Sequence, residues 1–208
     1  ELYERARALP PPEIGKTKPE DGSDMPEERP TRFRGLSAGY HEKTFATFDL
    51  KAAPLMRTAY DQCLAVAEGK LPWALLQGTY GTGKTHLAIA ALLLWTEREH
   101  SGYFWKVPDF LAFLRAGLDD NAYYNTEQRV DSYRTGSGLV IFDDLGTENR
   151  TEWAVEQLYR VLDSRYESSL PTIITANVEP DRLDPRVLSR YRRSLVVCQG
   201  RDMRGAKD

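Results

Sequence analysis

The apolar positions of this chain fall into short, nearly continuous runs separated by longer stretches of helical period. Trp73–Gln77, Tyr103–Val107, Gly138–Phe142, Thr172–Ala176 and Leu195–Cys198 each read as a strand. Between them, Lys84–Arg98, Asp109–Arg115, Thr151–Ser168 and Pro185–Arg193 read as helices. A helix also precedes the first strand. From Pro54 to Glu68 the residues Leu55, Ala59, Cys63, Val66 and Ala67 recur near a 3.6-residue period, with Pro near the start and Gly69 after the end. Apolar strands alternating with helices predict an α/β fold, with a parallel sheet covered on both faces. The polar, tyrosine-rich stretch 121–134 shows neither period and is expected to be an excursion of no assigned structure.

The N-terminal part differs in character. Residues 1–9 read as a short charged helix, and Pro10 to Pro30 is crowded with Pro, Gly, Glu and Asp, as an exposed linker is. From Thr31 the anchors Phe33, Leu36, Tyr40, Phe45 and Phe48 begin, all but Leu36 aromatic. The expected division is therefore 1–31, a helix and Pro/acidic linker, and 32–208, one globular domain. The chain opens on Glu1 rather than Met, so a further N-terminal module is expected ahead of it.

Composition changes this picture little. At 208 residues with 41% hydrophobic side chains there is material for one buried core. The net charge of −3 advertises no global field for nucleic acid, so any such contact needs a local patch. Cys63 and Cys198 form no CxxC pair, and His41, His86 and His100 are scattered, which argues against a zinc site or disulfide framework. No apolar run reaches the roughly 20 residues that span a bilayer, and no signal peptide opens the chain; a cytoplasmic protein is expected.

The candidate chemistry begins at Gly78–Thr85, GTYGTGKT, which fits G-x-x-x-x-G-K-[ST]. Glycines let the backbone curl so that successive N–H groups face phosphate, and the following helix presents its positive end to the same anion. Lys84 would reach the β- and γ-phosphates of ATP or ADP, and the Thr85 hydroxyl would bind Mg²⁺. Gly78, Tyr80, Gly81, Thr82, Gly83, Lys84, Thr85 and His86 are the candidate nucleotide contacts. The second element, LVIFDDLG, places two carboxylates after four apolar residues, at the carboxyl end of a buried strand. Asp143 would hold Mg²⁺ and Asp144 would orient and deprotonate the attacking water. Asn177, after the strand TIITA, stands where a side chain can meet the γ-phosphate or that water, although Asn is also a common turn residue. In DPRVLSRYRR, Arg186 and Arg190 lie four apart on one helical face. A solvated basic helix and an arginine finger for a neighbouring subunit are both compatible with that spacing.

Taken together, HEKTFATFD, GTYGTGKTHLA, LVIFDDLG, TEWAVEQLYRVLDSRY, PTIITANV, RVLSR and GRDMR resemble the bacterial helicase-loader AAA+ ATPases of the DnaC/DnaI type. They are similar also to the related transposition helpers of the IstB type. The resemblance runs from about Arg32 to Arg204. It implies a P-loop AAA+ core with a five-stranded parallel sheet sandwiched by helices and a truncated or absent C-terminal lid. It aligns Lys84 and Thr85 with Walker A, Asp143 and Asp144 with Walker B, and Asn177 with sensor 1. Arg190 falls on the arginine finger, Arg186 on an accessory arginine and Arg204 on sensor 2. It further implies a replicative helicase as partner, bound through the missing N-terminal region, and self-assembly into a ring, spiral or filament with the finger acting in trans. Single-stranded DNA is a further implied partner, for which Trp105, Lys106, Arg115, Tyr123, Tyr124, Arg129 and Arg134 supply interleaved aromatic and basic side chains. The readings left open are a slow, assembly-dependent ATPase of a helicase loader, a transposition helper with the same ATPase, a binding-only switch, and a small-molecule P-loop kinase.

Overall fold

The computed structural model describes residues 38–119, 122, 124–200 and 202–203. The N-terminal helix and linker, Tyr123 and Arg204 lie outside the described residues. Five strands form one sheet in the order β2-β3-β4-β1-β5, every neighbouring pair parallel. They are β1 (Trp73–Gly78), β2 (Gly102–Lys106), β3 (Leu139–Leu145), β4 (Thr172–Ala176) and β5 (Leu195–Cys198). The connecting α-helices are α1 (Arg57–Ala67), α2 (Lys84–Glu97), α3 (Val107–Arg115), α4 (Thr126–Thr135), α5 (Glu152–Glu167) and α6 (Pro185–Tyr191).

Side chains alternate across each strand and so build two cores. Ala74, Leu76, Leu139, Ile141 and Ile173 pack with Cys63 and Val66 of α1 and with Leu87, Ile89 and Leu92 of α2. Leu75, Val140, Phe142 and Ile174 face the other way, onto Phe110, Val130, Leu158, Val161, Val187 and Tyr191 of α3 to α6. Helix α2 is apolar all round because it is buried nearly all round, from Leu87 to Leu93. Among the described residues no helix is long and apolar enough to cross a membrane.

Local chemistry sets the helix ends. Gly69, at φ +75°, closes α1 with its N–H on Val66 O at 2.9 Å. Thr151 caps α5 through Ala154 N, and Asp184 caps α6 through Arg186 N at 2.8 Å, with Pro185 at the first helical position.

Two departures from the sequence pattern bear on the site. The stretch expected to lack regular structure carries α4, opened by a reciprocal capping box between Asn125 and Gln128. Its period was hidden because only Thr126, Val130 and Tyr133 are buried. Strand β3 runs on past Phe142 through both aspartates to Leu145, with a register shift against β4 between Phe142 and Leu145 and Asp144 at φ +61°. The carboxylates therefore belong to the strand's irregular end rather than to a loop beyond it.

At the opposite end of the sheet, where β3 and β4 begin, Arg165 of α5 is fully buried and staples the chain. Its Nη1 donates to Tyr133 O (2.6 Å) and Gly136 O (3.0 Å), and its Nη2 to Gly138 O (2.7 Å) and Pro171 O (2.9 Å). Its Nε donates to Thr172 Oγ1 at 3.0 Å. Burial lowers its pKa to about 10, so it stays charged at neutral pH.

Candidate nucleotide site

The carboxyl ends of β1, β3 and β4 meet at one edge of the sheet, where open α/β folds place their ligands. After β1 the chain curls through Thr79–Gly83 and enters α2 from Gly83 at φ +100°. A β-carbon there would come within 2.6 Å of Phe48 Cε2, so the aromatic lead-in is packed directly against the loop. Lys84 is buried, with Nζ donating to Gly78 O and Thr79 O, each at 2.7 Å. Its ammonium is thus held inside the curve of the loop. Thr82 closes the turn through Oγ1 to Thr79 O at 3.1 Å.

Opposite the loop, Asp143 is buried and its Oδ1 accepts from the Thr85 hydroxyl (2.9 Å) and the Thr175 hydroxyl (2.7 Å). Burial raises its pKa, the two hydroxyls oppose the rise, and the neighbouring Asp144 charge adds to it. Asp144 is partly buried; its N–H donates to Thr175 Oγ1 at 3.0 Å and its Oδ1 accepts from Asn177 Nδ2. The Thr85, Asp143 and Thr175 side chains therefore form one hydrogen-bond network, to which the Asp144–Asn177 side-chain pair is joined through the Asp144 backbone N–H. Thr175 is its hub, which the apolar run TIITA signals only as a polar residue at a strand end.

The other candidates are distributed differently. Tyr80 stands 59% exposed on the outer turn of the loop. His86 faces the lead-in instead, its Nε2 2.9 Å from Thr44 O and its ring edge-on to Phe48. Arg186 and Arg190 project from α6 onto α5, and no described hydrogen bond or ion pair joins them to the network around Asp143. Arg190 Nε donates to Asp163 Oδ1 at 2.7 Å, and Arg186 pairs with Asp184 at 3.0 Å and Glu156 at 3.5 Å. Their partners on α5 carry no sequence signal beyond helical spacing.

The set considered for single-stranded DNA divides. Trp105 is partly buried: its ring packs against Phe110, Phe113 and Tyr133 and its Nε1 is buried. Arg129 is a structural clamp, donating to Tyr124 O and Phe113 O with its guanidinium 4.6 Å over the Phe113 ring. Arg134 has its Nε buried and lies 3.7 Å from Asp131. Lys106 and Arg115 are exposed, Lys106 opposite Asp143 in the β2–β3 register and Arg115 4.9 Å over Trp153.

A parallel sheet in this strand order, with a glycine-rich loop after β1 and paired aspartates ending β3, defines a P-loop ATP-binding domain of the AAA+ type. Residues 36–184 match the family of IstB-like ATP binding proteins, and the chain belongs to that family. It is 31% identical over 116 residues to the replicative helicase loader DnaI of Bacillus subtilis, covering 55% of this chain and 36% of that protein. It is 30% identical over 146 residues to an ATP-binding protein in an insertion sequence of Mycobacterium tuberculosis, covering 67% and 55%. The matched stretch thus spans about a third to a half of these relatives' length.

Among solved structures, the DnaC helicase loader superposes with TM-score 0.67 at 23% identity over 78% of this chain and all of that one. DnaI superposes with TM-score 0.65 at 20% identity over 84% and 98%. The replication initiator DnaA bound to AMPPCP and single-stranded DNA gives TM-score 0.67 at 22% identity over 79% and 51%. At these identities the structures share the fold.

Proposed function

We propose that this chain is the ATP-hydrolysing switch of a replicative-helicase loader. The observation that carries the reading is the connected network of Thr85, Asp143, Thr175, Asp144 and Asn177 at the carboxyl ends of β3 and β4, together with a loop-bound lysine, in a chain 31% identical over 116 residues to a helicase loader. ATP is the substrate. The curled backbone of Thr79–Gly83 supplies N–H donors, and the Lys84 ammonium exchanges the carbonyls of Gly78 and Thr79 for phosphate oxygens. The Thr85 hydroxyl and Asp143 carboxylate, two oxygen donors 2.9 Å apart, fit a hard cation and would hold Mg²⁺. When bound, Mg²⁺ neutralises charge on the β- and γ-phosphates.

Asp144 is the group available to orient a water and take its proton, and Asn177 fixes that carboxylate. Arg190 serves the nucleotide of a neighbouring copy in a ring, spiral or filament, stabilising charge on the transferred phosphoryl group. Hydrolysis by the isolated chain is then slow and rises on assembly. Lys106 and Arg115 remain as contacts for a single-stranded DNA backbone.

A second reading keeps the same ATPase with a transposase as partner; its support is the family itself and the relative within an insertion sequence. Affinity capture with the full-length protein separates the two, using the replicative helicase and an insertion-sequence transposase from the same cells as purified probes. ATP-dependent capture of the helicase supports the first reading, and capture of the transposase alone replaces it with the second.

A further inference from the structure

The geometry points to Asp163 and Tyr159 of α5 as positioning residues that pre-orient Arg190 for a neighbouring copy's nucleotide. The inference rests on the proposal that Arg190 acts in trans. Glu156, Tyr159 and Asp163 follow one another at spacings of three and four, so they share one face of α5, the face that carries α6. Both arginines of α6 end on that face. The Tyr159 ring lies 4.0 Å from the Arg186 guanidinium, while its hydroxyl is 3.4 Å from Arg190 Nη2. Glu156 takes Arg186 at 3.5 Å, and Asp163 takes Arg190 at 2.7 Å.

Asp163 engages one nitrogen of the Arg190 guanidinium in particular. It accepts from Nε, the inner edge of the guanidinium, and so leaves Nη1 and the weakly held Nη2 at the outer end. That end presents two N–H groups in a rigid fork, the geometry that meets phosphate oxygens. The Asp163 side chain is 21% exposed and that of Arg190 34%, so the pair is anchored in the protein yet open in part to solvent. An arginine on a flexible stem would have to be ordered each time a neighbour's phosphate arrived. Here the carboxylate and phenol order it beforehand.

The test is steady-state ATPase of the full chain, at concentrations where turnover per chain rises with protein. Asp163→Asn keeps the shape and removes the charge. It should lower kcat about tenfold with KM and melting temperature unchanged, and Asp163→Glu should restore part of the loss. Mixing Asp163→Asn with Asp144→Asn protein should recover turnover, because one supplies the base and the other the oriented finger. In an Arg190→Ala background Asp163→Asn should cost nothing further. Wild-type kcat in Asp163→Asn, with Arg190→Ala impaired, overturns the positioning role alone. Undiminished kcat in Arg190→Ala overturns the trans finger and this inference with it. An equal loss from Asp163→Asn with or without Arg190 assigns Asp163 to structure and also overturns the inference. Should Asp163→Asn fold poorly, Tyr159→Phe removes only the hydroxyl and should lower kcat about twofold by the same route; an unchanged kcat there counts against it.

Discussion

Asn177 donates through its side-chain amide to the Asp144 carboxylate, across the junction of β4 and β3. The contact joins two residues 33 positions apart and fixes a carboxylate whose own backbone sits at φ +61°. In that conformation the carboxylate direction is set by its partners rather than by the ladder of β3. Asp144→Asn should cut turnover on the order of 10²-fold or more, the range for loss of a general base. Asn177→Ala should cost about tenfold through misorientation. Neither should alter nucleotide affinity greatly. Single-turnover phosphate release and titration with a fluorescent nucleotide separate the two effects. Asn177→Ala with wild-type turnover would remove Asn177 from the catalytic unit.

Gly78 provides a sharper test of how β1 delivers the loop. At φ +155° its missing β-carbon would lie 2.0 Å from the carbonyl oxygen of Cys198, the residue it pairs with on β5. Gly78→Ala should therefore force β1 and β5 apart and destabilise the fold by roughly 2–4 kcal/mol. Gly39, with open space around the same position, is the control; Gly39→Ala should stay within about 0.5 kcal/mol of wild type. Equilibrium urea unfolding gives both numbers. Equal midpoints for the two variants would contradict the packing described here.

Much of the fold was legible because apolar strands and glycine-proline punctuation are local signals. Strands β4 and β5 coincide with their sequence boundaries, and the aspartates of LVIFDDLG lie near the carboxyl end of β3, one residue short of its last position. What was not legible depends on partners far away in the chain. The Asp163–Arg190 pair spans 27 positions, and Arg165 reaches carbonyls from Tyr133 to Pro171. Helix α4 was hidden for a different reason: its stability rests on a cap and three buried residues, not on an apolar stripe. Trp105 shows the limit of composition, since an aromatic beside a lysine reads equally as a stacking surface or as core. In the fold it is partly buried, with its ring packed on Phe110, Phe113 and Tyr133.

Arg165 is expected to be among the most sensitive positions away from the site. Arg165→Met fills much of the same volume but leaves Tyr133 O, Gly136 O and Gly138 O without their charged donor. Hydrogen bonds from a charged group contribute about 1.5–3 kcal/mol each, and buried acceptors left unpaired cost comparable amounts. Partial relaxation and water entry reduce the sum, so a loss on the order of 4 kcal/mol is expected by urea unfolding. A methionine variant as stable as wild type would mean that the guanidinium's desolvation cancels its five hydrogen bonds.

Asp143, proposed to hold Mg²⁺, should show the reverse behaviour, since its charge opposes folding. Burial raises its pKa above the ordinary 3.8, and Asp144 beside it adds to the rise. The folded chain therefore binds a proton more tightly at this position than the unfolded chain does. Between 3.8 and the raised folded value the folded state carries more protons, so stability falls as pH rises through that window. Above it, the full cost of the buried carboxylate is present. Asp143→Asn keeps an oxygen for the Thr85 and Thr175 hydroxyls and removes the charge. In buffer with EDTA its melting temperature should exceed that of wild type at pH 8, and the difference should shrink toward pH 4. Mg²⁺ should raise the nucleotide affinity of wild type and leave that of this variant unchanged. A lower melting temperature at pH 8 would show that the two hydroxyl bonds outweigh the desolvation of the carboxylate. An intact Mg²⁺ effect would remove Asp143 from the metal site.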